Sequence, residues 1–122
     1  MFSNGDYYNG NFKNGLFEGY GEYFYKHQNI IYKGEWREGK QEGRGILQFS
    51  NGTLIESHWS NGNADRNGRI LFYNGDVYEG NLNGVGPNGR GTYKRKTGES
   101  IEGDFKNGVM ISNWGWLFFY FF

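Results

Sequence analysis

The chain has 122 residues, of which 22 are Gly and 1 is Pro; aromatics make up 20% and hydrophobic residues as a whole only 36%. It has no cysteine, which excludes disulfides and thiolate metal sites, and its 13 basic and 13 acidic residues cancel, which argues against a dedicated nucleic-acid binder. The glycines form no collagen triplet, the aromatics argue against disorder, and scarce Ala, Leu and Met argue against long helices.

The opening segment, Met1 to Tyr8, has neither a basic region nor an apolar run, so it is not a signal peptide. Nothing approaches the ~20 apolar residues of a membrane-spanning helix. Phe2-Ser3-Asn4-Gly5-Asp6-Tyr7-Tyr8 matches Phe72 to Tyr78 and Phe49 to Ile55, which are joints between repeated units. The pattern is thus entered in mid-unit, with an open strand edge expected near Met1.

The first full copy starts at Tyr8: Tyr8, Gly10 and Phe12, the turn Asn14-Gly15, then Gly19, Gly21, Tyr23 and Tyr25. Its exit loop, Lys26 to Ile31, carries one extra residue. The second copy is the most regular: Tyr32, Gly34 and Trp36, the turn Glu38-Gly39, then Gly43, Gly45, Leu47 and Phe49. The third reads Ile55, Ser57, Trp59, turn Asn61-Gly62, then Arg66, Gly68, Ile70 and Phe72, with Ser57 and Arg66 in glycine places. The fourth reads Tyr78, Gly80, Leu82, a glycine-rich turn from Asn83 to Asn88, then Gly89, Gly91, Tyr93 and Arg95. The fifth starts with Ile101, Gly103, Phe105 and the turn Asn107-Gly108, then decays, with Ser112 and Trp114 in glycine places.

The alternation has period two, the signature of a half-buried strand. Tyr32, Gly34 and Trp36 share one face, and Lys33, Glu35 and Arg37 take the other. On the second strand Gly43, Gly45, Leu47 and Phe49 are expected together on the ring face. Glycine inside a strand marks close approach of another group, so large rings are expected to lie flat over glycines of neighbouring strands. Asn-Gly suits tight hairpin turns with positive φ, and Ser/Tyr-Asn-Gly at the joints suits a three-residue loop with a glycine bulge. The expected fold is all-β: an elongated single-layer antiparallel meander of repeated β-hairpins, with about five 23-residue repeats starting near 8, 32, 55, 78 and 101. Residues 1–109 form the array, and 110–122 a degenerate last hairpin strand and aromatic tail.

The recurring Tyr-x-Gly-x-Trp/Phe, then Gly seven residues after the Tyr, then Gly-x-Gly-x-Leu/Tyr-x-Phe, resembles the MORN (membrane occupation and recognition nexus) repeat up to about Val109. The resemblance implies a curved strip of hairpins, one per repeat, with a binding or scaffolding role. The family includes junction proteins, ciliary and cytoskeletal scaffolds, and non-catalytic modules attached to lipid kinases and lysine methyltransferases. Nothing in this chain resembles those catalytic domains.

No chemistry-bearing constellation emerges. His27 and His58 have no metal-ligand partners at recognisable spacing, and the Gly-x-Gly pairs lie inside strands rather than before a helix. Carboxylates such as Glu18, Glu42, Asp65 and Glu102 fall on turns or the solvated face. The expectation is a non-enzyme without cofactor, metal or small-molecule substrate. Its aromatic stripe (Tyr8, Phe12, Tyr23, Tyr32, Trp36, Phe49, Trp59, Phe72, Tyr78, Tyr93, Phe105) is either the core of a thin protein or, in part, an open groove for a partner helix or peptide.

Arg90, Lys94, Arg95 and Lys96 form the basic cluster, a candidate contact for anionic lipid or simply a solvated joint. In the tail, Trp114, Trp116, Phe118 and Tyr120 suggest a cap, an edge that meets another chain, or a non-native end. The expected role is a cytoplasmic scaffold in a larger assembly, of cytoskeletal or ciliary type by the resemblance and with self-association as one form of it; the alternative is a peripheral module binding anionic phospholipid.

Overall fold

The computed structural model describes residues 2–83, 86–106, 109–112 and 115–117, with side chains over 2–82 and 86–106. The described residues are strands and turns, with no helix among them. The chain divides into two compact units, Met1–Asp65 and Arg66–Phe122. The first holds β1 (Tyr7–Lys13), β2 (Leu16–Tyr25), β3 (Ile30–Arg37), β4 (Lys40–Phe49) and β5 (Leu54–Ser60), each antiparallel to the next. β6 (Asn63–Leu71) begins in the first unit and ends in the second. In the second unit β6, β7 (Val77–Asn83), β8 (Gly86–Lys94), β9 (Ser100–Lys106), β10 (Val109–Ser112) and β11 (Gly115–Leu117) again pair in succession, all antiparallel. Each unit is thus a single-layer meander, as the alternation implies.

Two turn types set the register. At the hairpin tips both central residues have positive φ: Asn14 and Gly15 at 53° and 79°, Glu38 and Gly39 at 51° and 84°, Asn61 and Gly62 at 53° and 86°. That is the type I′ turn, whose twist suits a two-residue hairpin. At the joints the loop has three residues. The Gly52 N–H donates to the Phe49 carbonyl (3.0 Å), and the Phe49 N–H donates to the Thr53 carbonyl (2.9 Å). The same pair of bonds closes Phe2–Asp6 and Phe72–Asp76.

In this register glycines face glycines across the strands. Gly10, Gly21, Gly34 and Gly45 form a row in the first unit, and Gly68, Gly80, Gly91 and Gly103 in the second. Tyr32 folds along its own strand over Gly34 and Gly45, and its hydroxyl donates to the Glu35 carbonyl at 3.1 Å. A Cβ on Gly45 would stand 2.6 Å from Tyr32 Cζ, inside contact distance. Tyr8 and Tyr78 repeat this, donating to the carbonyls of Asn11 (2.8 Å) and Asn81 (2.7 Å). Tyr32 and Tyr78 are fully buried.

Gly19, Gly43 and Gly89 differ from expectation. Spacing alone places Gly43 beside Gly45 on the ring face. In the structure the single residue Glu35 is opposed by Glu42, Gly43 and Arg44, so β4 carries a two-residue bulge. Gly43 has φ 74°, and a Cβ there would lie 2.8 Å from Glu35 Oε2, on the face away from the rings. Gly19 and Gly89 likewise face the side chains of Asn11 and Asn81. An excess of two residues preserves parity, so Trp36 keeps its place on the ring face.

Consecutive joints are tied by a buried carboxylate. Asp6 accepts from the Tyr23 hydroxyl (3.0 Å), the Lys26 N–H (2.8 Å) and Asn4 Nδ2 (3.0 Å). Asp76 accepts from the Tyr93 hydroxyl, the Lys96 N–H (2.8 Å) and Asn74 Nδ2 (3.3 Å). The Lys26 N–H bond is the main cause that holds the Asp6 carboxyl below its usual range, against the effect of burial. Burial pushes Asp76 up, but the bonds from Tyr93, Lys96 and Asn74 and the charge of Arg95 outweigh it, leaving it lowered too. In the third copy Thr53 takes the Asp place, and its buried hydroxyl has no partner.

Gly45→Ala is expected to cost about 3 kcal/mol, because a methyl must displace a packed ring. Gly15→Ala, with nothing within 4 Å of its Cβ position, should cost only the ~1–2 kcal/mol of positive φ; urea unfolding of both variants checks the order. Carboxyls lowered in the folded state stabilise it above the unfolded value, near 3.8, and that stability is lost as pH falls through the folded values. The urea midpoint should therefore drop below pH ~4, and Asp76→Asn should flatten the drop while lowering the midpoint at pH 6.

Candidate functional site

The ring face is covered sideways, by rings from adjacent copies. Trp36 meets Tyr8 (centroids 5.5 Å), Phe17 (5.1 Å) and Tyr32 (5.2 Å), all edge-on. Its indole N–H donates to the Gly21 carbonyl at 3.2 Å. Tyr32 meets Trp59 at 5.3 Å, and Tyr78 meets Phe105 at 5.0 Å. Such pairs contribute ~0.5–1.5 kcal/mol each beyond their buried area. Tyr32, Trp36, Phe72, Tyr78, Tyr93 and Phe105 are accordingly buried, and Tyr8, Tyr23, Phe49 and Trp59 half-buried. Burial pushes the Tyr78 hydroxyl up to about 12, and burial with the Asp6 carboxylate does the same to Tyr23. These hydroxyls are structural donors, held protonated.

Phe12 breaks the rule. It occupies the repeat position of Trp36 and Phe105, which are 5% and 3% exposed, yet it is 60% exposed. It packs edge-on against Tyr8 (5.1 Å) and Phe17 (5.6 Å), which stack on each other at 3.8 Å. Phe2, 44% exposed, stacks on Tyr23 at 5.9 Å and continues the patch. The first hairpin therefore presents an open aromatic surface built on stacked rings. Its Phe2 component was not visible in the repeat pattern, and its exposure was foreshadowed only by the open edge expected near Met1, because Phe12 and Trp36 differ only in what lies beside them.

A second arrangement also escaped sequence reasoning. The Glu38 N–H donates to Glu18 Oε1 (3.3 Å) and the Gly39 N–H to the Phe17 carbonyl (2.9 Å). One copy later, the Asn61 N–H donates to Glu42 Oε2 (2.9 Å) and the Gly62 N–H to the Gln41 carbonyl (3.0 Å). Glu18 and Glu42 are thus caps on the next hairpin's turn, and the shared Glu-Gly before each bulge is the signal that could have found them.

The opposite face carries ion pairs, Lys33–Glu22 at 3.5 Å and Arg69–Glu79 at 3.1 Å. It also carries an apolar row in register, Tyr7–Phe24–Ile31, on the face expected to be solvated. Of the basic cluster, Arg90 lies 3.7 Å from Glu102 and 3.8 Å from Asp104, and the Lys96 stem lies over Gly75. Trp114, Phe118 and Tyr120 lie outside the described residues, and of Trp116 only the backbone, paired with Ile111, is described. Among the described residues no group of three or more His, Cys, Asp or Glu is placed to hold a metal ion, and no helix is long and apolar enough to cross a membrane.

Alsin from Rattus norvegicus and from Homo sapiens are each 39% identical to this chain over 56 residues, which is 43% of this chain and 3% of the relative. The chain thus spans a small fraction of the curated relatives it matches. Among solved structures, the SAS-4 (dCPAP) TCP domain in complex with a proline-rich motif of Ana2 (dSTIL) of Drosophila melanogaster aligns with TM-score 0.48 and 18% identity, over 80% of this chain and 56% of that one. The family model described as MORN repeat matches residues 8–26, 32–54 and 56–77. Those segments hold more than half of the residues and follow the hairpins in phase, so the chain belongs to the MORN-repeat family.

Proposed function

We propose that this chain is a non-catalytic MORN scaffold or adaptor segment. It binds protein partners through the open aromatic face of its first hairpin, within a larger cytoplasmic assembly of the cytoskeletal or ciliary kind. The observation that carries this reading is the contrast between Phe12 and its repeat equivalents: a ring position that the fold otherwise buries stands 60% exposed. Phe2 and the Tyr8–Phe17 stack extend it into a contiguous apolar surface, and aromatics of this kind anchor protein interfaces. MORN repeats as a family are compatible with protein-binding and membrane-associated modules alike. The phospholipid alternative rests on Arg90, Lys94, Arg95 and Lys96, but Arg90 is shared by two carboxylates, which weakens the net field there.

A pull-down with the 122-residue chain as bait, followed by the same capture with Phe2→Ser/Phe12→Ser, tests the reading. Capture should fall at least about tenfold with the double variant, as expected for truncating interface anchors, while circular dichroism shows it folded. Lys94→Glu/Arg95→Glu/Lys96→Glu should capture as the parent does. The reverse pattern, with the parent sedimenting on phosphatidylserine vesicles and the charge variant failing to, favours the lipid reading.

A further inference from the structure

The outer edge of β1 is a half-made copy of a contact seen elsewhere in this chain. Three first-type strands show what lies against such an edge. Beside β3, Trp36 faces Gly19, Gly34 faces Gly21 and Tyr32 faces Tyr23. Beside β5, Trp59 faces Gly43 and Ile55 faces Leu47. Beside β9, Phe105 faces Gly89, Gly103 faces Gly91 and Ile101 faces Tyr93. In each case the covering strand is Gly-x-Gly-x-(Tyr/Leu), antiparallel, with a glycine opposite the residue that bears the large ring. β1 offers the matching surface, Phe12, Gly10 and Tyr8, and its other side is already paired with β2. Among the described residues no strand covers the outer edge.

The hairpin tip gives a second, independent observation. In the next two hairpins the turn N–H groups are capped by the covering strand: Glu38 and Gly39 by Glu18 and the Phe17 carbonyl, Asn61 and Gly62 by Glu42 and the Gln41 carbonyl. The turn N–H groups of Asn14 and Gly15 have the same conformation, with φ 53° and 79°, and no partner among the described residues. The covering strands that supply these caps share the sequence Glu-Gly-x-Gly-x-(Tyr/Leu), at Glu18–Tyr23 and Glu42–Leu47.

We propose that the outer edge of β1 is a strand-accepting site, and that its occupant is a Glu-Gly-x-Gly-x-(Tyr/Leu) strand of another repeat-bearing chain. The strand pairs antiparallel, with its second glycine opposite Gly10 and its first opposite Phe12. Its glutamate accepts from the Asn14 N–H, and the carbonyl before that glutamate accepts from the Gly15 N–H. Strand addition of this kind takes affinity from main-chain hydrogen bonds and specificity from alternate side chains. Here the specificity lies in two bare positions: the second glycine lies opposite Gly10, and the first takes the positive φ seen at Gly19, Gly43 and Gly89 (73°, 74° and 102°), which L side chains rarely adopt. The proposal rests on the scaffold reading and names the chemistry of a partner.

The test uses the purified chain and a synthetic peptide of its own residues Lys40–Gln48, which carries the motif and stops short of the residue equivalent to Phe2. Titration followed by amide NMR should shift the Asn14 and Gly15 resonances and slow exchange along β1. The peptide with Glu42→Ala should bind about tenfold weaker, as loss of a charge-assisted hydrogen bond implies. The peptide with Gly43→Val/Gly45→Val should not bind. No shift at millimolar peptide, equal binding by the valine peptide, or shifts confined to other strands each overturns the proposal. Because no unidentified partner enters this experiment, its failure leaves the result of the pull-down standing.

Discussion

A tyrosine ring lying on two facing glycines is the contact on which this structure depends. A single-layer sheet has no second layer to cover its aromatic face, so the rings must lie down on the sheet itself. Only hydrogen at Gly34 and Gly45 leaves room for Tyr32, and the same holds for Tyr8 and Tyr78 over their glycine pairs. The magnitudes favour the arrangement. Glycine in a strand costs ~0.5–1 kcal/mol relative to Ala, whereas burying an aromatic ring removes ~150–250 Å² from water at ~25 cal/mol per Å². Even discounted for a compact unfolded chain, one buried ring outweighs two glycines.

The rest of the architecture follows from keeping each ring over its pair. Hairpin turns with two positive-φ residues and joints with three-residue loops hold the parity. The bulge at Gly43 lets the second strand pass the tyrosine hydroxyl, which is bonded to Glu35, without turning Trp36 over. Carboxylates then tie neighbouring turns, Asp6 and Asp76 along the joints and Glu18 and Glu42 along the tips. The third copy is where these devices lapse. Thr53 replaces the joint aspartate, Ser57 faces Gly45, and both the Thr53 hydroxyl and the Trp59 indole N–H are buried without a partner. Trp36, one copy earlier, gives its N–H to the Gly21 carbonyl. Each orphaned group costs ~1–3 kcal/mol.

What could be read from the residues was whatever repeats locally. Period-two alternation places Tyr32, Gly34 and Trp36 on one face, and Asn-Gly at Asn14 and Asn61 names its own turn. The two classes of glycine could not be separated that way. A two-residue bulge leaves parity unchanged, so Gly43 and Gly45 look alike until the register is seen. Glu18 and Glu42 looked like solvated charges because their partners lie some twenty residues on, at Glu38 and Asn61. The openness of Phe12 was legible only as an open edge near Met1: its own copy is regular, and only the neighbouring strand distinguishes it from Trp36. The apolar row Tyr7–Phe24–Ile31 leaves a faint trace in the doublets Tyr7-Tyr8 and Ile30-Ile31, which put apolar groups on both faces.

The ring-on-glycine contact is tested most directly by a double-mutant cycle between Tyr32 and Gly45, read as unfolding free energies in urea. If the ring is what excludes a side chain at Gly45, Gly45→Ala will be costly in the parent and nearly neutral beside Tyr32→Ala. The account predicts a coupling of about 3 kcal/mol, at the upper end of the range for residues in contact. Additive costs would mean that the glycines serve the backbone rather than the rings, and would contradict it.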